Sequence, residues 1–392
     1  MALGASSNQA NVVGSRSMNE LPDPLGTRRR VGLGLYLLGV CIGTVMLLIF
    51  FVGLPVLEGR VELLGFMCLG AVLAFPAGAI YLTVPRLLDR YDPEPWYALL
   101  GCLVWGATAA TGLSVLPNSL IAEMAGPGTG EALSAVVSAP IFEEFWKGIA
   151  IFGVAYFLHQ EFDGVVDGII YASFTALGFA TVENVIYYAQ GMSEGALAET
   201  LFARGLLSPW AHPVFTCMTG IGFGLSREAT SRFVRWGAPF AGFGLAVMLH
   251  AIWNGTAVLA PALGVEGAIV FLCMLCLWLL LVITFFVAII VLVRRRGKII
   301  REYLQDEIAL GNVTPDEVDQ VCTAFGLLQA RMNYGRKGAE LVRAIARLAL
   351  SKWHTTRAQK QDRSTVSMEF IVPLRRRIYD LKMEISQQQG RR

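Results

Sequence analysis

The sequence predicts an all-α fold, a polytopic membrane bundle of about eight transmembrane helices followed by a C-terminal cytoplasmic helical tail. Hydrophobic residues make up 55% of the 392-residue chain and charged residues only 16%. A soluble domain needs more charge on its surface. The apolar residues also fall in runs of roughly 20, which is the length that a helix needs to cross a bilayer. The runs lack the alternation of polar and apolar residues that is typical of membrane barrels.

The apolar runs define eight candidate spans. They are 31–57, 63–85, 96–121, 132–158, 165–190, 206–226, 238–262 and 268–293. The chain therefore divides into a polar N-terminal segment (1–30), a transmembrane domain (31–293) and a basic tail (294–392). The N-terminal segment lacks the apolar region of a cleavable signal peptide.

The positions of the arginines predict the orientation in the membrane. With the N-terminus inside, the arginines at 28–30, 86–90, 227–235 and 294–296 are cytoplasmic, and the short outer loops receive only Arg60 and Arg204. Cytoplasmic loops are enriched in Lys and Arg. We therefore expect an even number of spans in the inner or plasma membrane, with both termini in the cytoplasm.

The tail is expected to be helical. Thr314, Pro315 and Glu317 are typical of a helix start, with threonine as the N-cap, proline at the first position and an acid in the first turn. Residues 338–353 and 366–386 are further predicted helices. Such a tail could bind a cytoplasmic partner or lie on the membrane surface. Its lone histidine, His354, is interpreted as a surface residue.

Polar side chains inside the spans are the strongest functional signal, because an ionisable group in a bilayer needs a partner or a function. At about 1.5 Å rise per residue, these side chains fall at one depth in spans of alternating direction, which predicts a single shared cavity. The residues are Glu143, Glu144 and Lys147 in span four, Glu183 in span five, His212 in span six, and His250 and Asn254 in span seven.

Each of these residues also has a purely structural explanation. Glu143 and Lys147 are four residues apart and could neutralise one another, which leaves Glu144 unpaired. Glu183 and the two histidines could each brace a neighbouring helix through hydrogen bonds. Without a shared site, four unrelated structural roles would have to fall at the same depth by chance. A single joint site is therefore favoured.

The chemistry of the set suits buried hydrolysis. A carboxylate can take a proton from water, and imidazoles can hold a metal ion or polarise a carbonyl group. Asn254 could donate to a developing oxyanion. The sequence contains neither a serine nucleophile elbow nor an HExxH helix. Both a metal site and a metal-free glutamate mechanism therefore stay open.

At these residues the chain resembles the PrsW family of intramembrane proteases, in the clan of CAAX-prenyl endopeptidases and bacteriocin-processing enzymes. Residues 143–147 are similar to the paired-glutamate motif with its lysine, and residues 179–184 to the FxxxEN motif. His212 matches the histidine of the next motif, and residues 250–254 match the final HxxxN motif. The flanking stretches 89–95 and 163–168 also fit.

The resemblance, over roughly residues 30–290, implies an intramembrane endopeptidase of the metallopeptidase type, in which Glu143 or Glu144 activates water. Its implied substrate is a membrane-anchored protein such as an anti-sigma-factor-like regulator, and its other partner is the lipid bilayer, without nucleic acid. The candidate catalytic residues are Glu143, Glu144, Glu183 and Asn254, and the candidate ligands of a Zn²⁺ ion are His212, His250 and Glu144.

Two other functions compete with a protease. A secondary transporter could use the three glutamates as proton or cation sites, but the spans show no internal repeat and no paired broken helices. A non-catalytic scaffold could use the polar residues only to join helices. Pairs such as Gly39 and Gly43 indicate close helix packing in any case.

Overall fold

The computed structural model describes residues 24–89, 91, 93–323, 325–360 and 367–389. Within these residues the chain is helical and contains no strand, which confirms the predicted polytopic all-α fold. Eight long helices form the bundle. They are α1 Gly26–Leu57, α2 Glu62–Leu88, α3 Trp96–Ala125, α4 Ala139–Phe157, α5 Val165–Ser193, α6 Ala211–Glu228, α7 Arg232–Leu259 and α8 Gly264–Tyr303.

Each predicted span falls on one of these helices. Six of the eight are long and apolar enough to cross a membrane. The two others are α4, which carries three charged residues near its start, and α6, which has 18 residues and a charged end. The figure of eight crossings therefore stays a prediction. Residues 1–23 of the N-terminal segment, and Arg90 and Asp92 of the stretch 89–95, lie outside the described residues.

Helix α5 is the centre of the bundle. Its apolar stretch is 83% buried, whereas that of the peripheral α1 is 6% buried. It packs against α2, α3 and α6, and α6 packs in turn against α7. A Cβ atom added at Gly220 of α6 would lie 2.2 Å from the carbonyl oxygen of Gly168 of α5. Glycine at this crossing permits the close approach that sets α6 beside α5.

Irregular backbone surrounds the end of the bundle opposite the tail. The short helix Thr129–Leu133 and the π-helical turn Ser134–Ser138 precede α4. Between α5 and α6, the helix Leu197–Leu201 continues into the π-helical turn Phe202–Leu207. Turns of this kind occur frequently at functional sites.

The tail continues directly from α8. This helix runs through the predicted domain boundary at 293/294 and ends at Tyr303. The tail helices enclose an apolar core of their own. They are α9 Gln305–Ala309, α10 Pro315–Cys322, α11 Gly326–Gln359 and α12 Ser367–Gln389.

The predicted helix start in the tail is confirmed. The Thr314 hydroxyl accepts the backbone N–H of Glu317 at 3.2 Å, and the Glu317 carboxylate accepts the backbone N–H of Thr314 at 2.7 Å. The two bonds form a capping box that satisfies free donors at the start of α10.

The tail packs against the end of the bundle where α5 begins. Arg357 of α11 donates to the Glu228 carboxylate at 3.3 Å, and the same carboxylate accepts the backbone N–H of Val165 at 3.1 Å. Arg296 pairs with Asp167 in the first turn of α5 at 3.0 Å. These contacts join the tail to the helix on which Glu183 lies.

The interpretation of His354 as a surface residue was wrong. Its side chain is only 15% exposed and lies 3.9 Å from Asp163. Burial lowers the pKa of His354 to about 4. No local sequence pattern indicates this burial, because it results from packing of the tail on the transmembrane domain.

Candidate active site

The polar residues of four spans come together around one cavity. Its volume is about 490 Å³, and it extends toward the bundle end opposite the tail, since it reaches Gln190 near the end of α5. The candidate residues that line it are Glu143, Glu183, His212, His250 and Asn254. Glu144 is fully buried and does not belong to the lining.

Lys147 is the centre of the polar cluster. Its Nζ atom lies 2.9 Å from Glu144, 3.0 Å from His212 Nδ1 and 3.4 Å from Glu143. An ammonium group has three hydrogens and no lone pair, so three acceptors satisfy it. The group also lies 3.7 Å from the centre of the Phe179 ring. Lys147 is closer to Glu144 than to Glu143, so the simple pair with Glu143 considered from the sequence is incomplete.

Glu144 is held by three hydrogen bonds. Its Oε1 atom accepts from Lys147 and lies 3.1 Å from His250 Nδ1, and its Oε2 atom accepts from the Thr216 hydroxyl at 2.8 Å. Because a carboxylate only accepts, Nδ1 of His250 carries a proton. The second ring nitrogen, Nε2, lies 3.9 Å from Glu143 Oε2, beyond hydrogen-bond length. Carboxylates orient metal-binding histidines in this way.

His212 has partners on both ring nitrogens. Since Lys147 can only donate, Nδ1 of His212 accepts, and the ring proton is on Nε2. Nε2 then donates to Glu183 at 2.8 Å. Glu183 also forms an ion pair with Arg204. A continuous chain of polar contacts therefore runs from α4 through α6 and α5 to the connection between α5 and α6.

Glu143, His212 and His250 could share a metal ion. Their donor atoms all lie within 4.8 Å of one another, and all three side chains are buried. Two imidazoles and one carboxylate are a ligand set of catalytic zinc sites. To bind the ion, His212 would have to give up one of the two hydrogen bonds of its ring. The group contains Glu143, whereas the sequence had suggested Glu144 as the third ligand.

The charges of the cluster are compatible with a bound cation. Three carboxylates, those of Glu143, Glu144 and Glu183, face two cationic side chains, Lys147 and Arg204. The excess negative charge is buried, and a buried charge requires a partner. A divalent ion on the cavity side of the cluster would offset it.

Glu143 and Asn254 differ in how firmly they are held. In the described part of the chain, the only hydrogen bond of Glu143 is its long contact with Lys147. Asn254 donates one amide hydrogen to the carbonyl of Ala135 at 2.9 Å, so it anchors the π-helical turn before α4. Its second amide hydrogen is left for another acceptor.

Two residues of the site, Thr216 and Arg204, were not selected from the sequence. Thr216 follows His212 by four residues, so both lie on one face of α6, but a lone threonine carries no chemical signal. Arg204 is one of only two arginines in the short loops that the sequence predicts to face outward. That position was used to predict topology and not to predict a role in the site.

Comparison with known proteins identifies the family to which the chain belongs. The model of the "PrsW family intramembrane metalloprotease" matches residues 94–291, about half of the chain. Protease PrsW of Geobacillus kaustophilus is 32% identical over 179 residues, which are 45% of this chain and 74% of that protein. Protease PrsW of Halalkalibacterium halodurans is 29% identical over 195 residues, 50% of this chain and 85% of that protein. No solved structure matches the chain.

The helical membrane bundle and these matches define an intramembrane protease, a hydrolase that acts on membrane-embedded protein substrates. The chain belongs to the PrsW family. The matched residues include every candidate site residue, and the tail lies outside them. The transporter and scaffold alternatives do not account for these matches.

Proposed function

We propose that this protease cleaves a single-span, membrane-anchored regulatory protein of the anti-sigma-factor kind, with Glu143 as the proton acceptor for the attacking water. The observation that carries the proposal is the difference between the paired glutamates. Glu143 lines the cavity with one long hydrogen bond, whereas Glu144 is fully buried and accepts three. A base must reach the proton that it removes, and Glu143 is the residue of the pair that can do so.

The other side chains position the reacting groups. Glu144 orients His250 so that its Nε2 atom faces Glu143. Glu183 fixes the ring of His212 in the same manner. Asn254 has one amide hydrogen left to donate to the carbonyl oxygen as negative charge develops there.

The proton transfers follow from this arrangement. Glu143 takes a proton from water while the water oxygen adds to the carbonyl carbon of the scissile bond. The carbon–nitrogen bond then breaks, and the carboxyl group of Glu143 returns the proton to the leaving nitrogen. Lys147 stabilises Glu143 in its ionised form before the attack.

Glu143, His212 and His250 would hold a Zn²⁺ ion, because their chemistry and mutual distances fit one. When bound, such an ion supplies Lewis-acid chemistry to water and to the carbonyl group. Glu143 would then help to hold the ion in addition to accepting the proton.

The test combines metal content with cleavage. Wild type, Glu143→Gln, Glu144→Gln and the double variant His212→Ala/His250→Ala are purified in detergent and assayed on a panel of single-span membrane proteins. We expect stoichiometric zinc in wild type, and loss of zinc and cleavage together in the double variant. Glu58→Gln is the matched control, because Glu58 is 55% exposed on the opposite side of the bundle from the tail.

Three outcomes bear on separate parts of the proposal. Full cleavage by Glu143→Gln would eliminate Glu143 as the base. Cleavage by wild type without any metal would move the chemistry to a metal-free mechanism with Glu143 as the base. Cleavage of soluble peptides alone would contradict the membrane-anchored substrate class.

We also propose that both termini are cytoplasmic and that the bilayer is the plasma membrane. Arg29 of α1 donates to Gln160 at 3.1 Å, and Gln160 and His354 of the tail line one cavity, so the start of α1 and the tail share one end of the bundle. In a cysteine-free background, Glu58→Cys should react with an impermeant maleimide on intact cells. Gln388→Cys should react only after lysis. A cytoplasmic partner of the tail stays a prediction, to be tested by crosslinking from the same position.

A further inference from the structure

Arg204 is a loop residue that the fold buries beside the candidate active site. It lies in the π-helical turn Phe202–Leu207 between α5 and α6. Its side chain is 21% exposed and lines the cavity. An arginine in a short connection at the membrane surface would ordinarily extend into water, so its inward position requires specific partners.

Three partners hold the guanidinium group. One nitrogen forms the ion pair with Glu183, and Nε donates to the Asn184 side-chain oxygen at 3.0 Å. The guanidinium carbon lies 4.0 Å from the centre of the Tyr187 ring, within the range of a cation–π contact. All three partners lie within five residues of α5, so Arg204 binds a single patch of that helix.

Glu183 depends on this contact for one of its two hydrogen-bond donors. Its Oε2 atom accepts from both Arg204 and His212 Nε2, and its side chain is only 16% exposed. Removing one partner from a buried ion pair leaves an uncompensated charge. A Glu183 side chain without Arg204 would lose one of its two donors and turn away, and His212 would lose the acceptor that fixes its Nε2 proton.

We propose that Arg204 is a positioning residue of the protease, which acts through Glu183 to hold His212 in one tautomer and orientation. This inference rests on the proposed function of Glu183 and His212. The remaining ring nitrogen of His212 is already occupied by Lys147. The imidazole is therefore fixed at both ring nitrogens, by Lys147 directly on one side and by Arg204 through Glu183 on the other.

The connection that carries Arg204 is itself anchored. The Tyr81 hydroxyl donates to the Gly205 carbonyl at 2.6 Å, and Trp278 Nε1 donates to the Leu207 carbonyl at 3.2 Å. These bonds come from α2 and α8, on either side of the connection. The site is therefore complete only when this connection packs against the bundle, because the connection supplies Arg204 and with it the ion pair to Glu183.

The decisive experiment compares single and double variants of the full-length enzyme. We expect Arg204→Met to lower kcat by about 10- to 100-fold, the range seen when partners of ligand histidines are removed, with KM changed less than about twofold. Arg204→Lys should recover part of the activity, because lysine keeps the charge but cannot reach Glu183 and Asn184 together. If Arg204 acts through Glu183, the double variant Arg204→Met/Glu183→Gln should be no slower than Glu183→Gln alone.

A second readout does not depend on proteolysis. The ¹⁵N chemical shifts of the His212 ring report its tautomer, which should be Nε2–H in wild type and altered in Arg204→Met. Arg60→Met is the matched control, because Arg60 is 58% exposed in the other short loop on the same side. It should leave kcat and the His212 shifts unchanged.

The results that overturn the inference are distinct from those that overturn the proposed function. Additive losses in the double variant, a change in KM alone, or unchanged His212 shifts in Arg204→Met would each overturn the positioning role. A wild-type enzyme that cleaves no membrane protein would overturn the proposed function. In that case an altered His212 tautomer in Arg204→Met would still support the positioning contact.

Discussion

Replacement of Lys147 by methionine removes the ammonium group between two glutamates and keeps an unbranched side chain. Lys147 is fully buried and donates to Glu144, His212 and Glu143. Removing one partner from a buried ion pair costs about 3–5 kcal/mol. Because two carboxylates and one imidazole lose their donor together, we expect about 5 kcal/mol. At about 2–4 °C per kcal/mol, the thermal midpoint falls by roughly 10–20 °C.

The assay is a double-mutant cycle in detergent, followed by tryptophan fluorescence on heating. Glu144→Gln keeps the shape of the side chain and removes the charge. Its carbonyl oxygen can accept from His250, and its amide group can donate to the Thr216 hydroxyl. The double variant Lys147→Met/Glu144→Gln should therefore be more stable than Lys147→Met alone, with a coupling energy of about 1–3 kcal/mol. Lys298→Met, at an exposed position, is the control.

Two results would refute this reasoning. A Lys147→Met protein with the wild-type midpoint would mean that the ammonium group does not compensate the carboxylates. A double variant whose loss equals the sum of the single losses would mean that Lys147 and Glu144 do not interact in the folded protein.

Three further predictions concern Thr216, the α5–α6 crossing and the tail. Thr216→Val removes a bond to a buried carboxylate at 2.8 Å and should lower stability by about 1.5–3 kcal/mol, whereas Thr216→Ser should not. Gly220→Ala places a Cβ 2.2 Å from a backbone oxygen and should cost about 1–3 kcal/mol, with Gly237→Ala, in open space, near wild type. Burial lowers the pKa of His354 from 6.5 to about 4, so the unfolded state binds the proton first. Resistance of the tail to proteolysis should be full above pH 6.5 and fall as the pH drops toward 4, and His354→Asn should reduce that pH dependence.

The sequence alone was sufficient for the class of fold and for most residues of the candidate site, although not for Thr216 and Arg204. Apolar runs of membrane-spanning length allow little other than helices, because backbone groups in a bilayer must bond within their own segment. Polar residues inside such runs are costly, which is why Glu143, Glu183, His212 and His250 could be selected without a structure. The helical rise fixed their depths, and the structure places all four around one cavity.

Only the tertiary structure determines which of these residues reaches the cavity and which is buried behind it. Neighbours on a helix point about 100° apart, so Glu143 and Glu144 had to face different surroundings, but the packing of α6 and α7 determines which of them meets the cavity. Arg204 and His354 lie outside the predicted spans, so the cost of a polar residue in a bilayer could not be used to select them. Their burial depends on how a connection folds over the bundle and how the tail packs beneath it, and these are long-range contacts that no local pattern encodes.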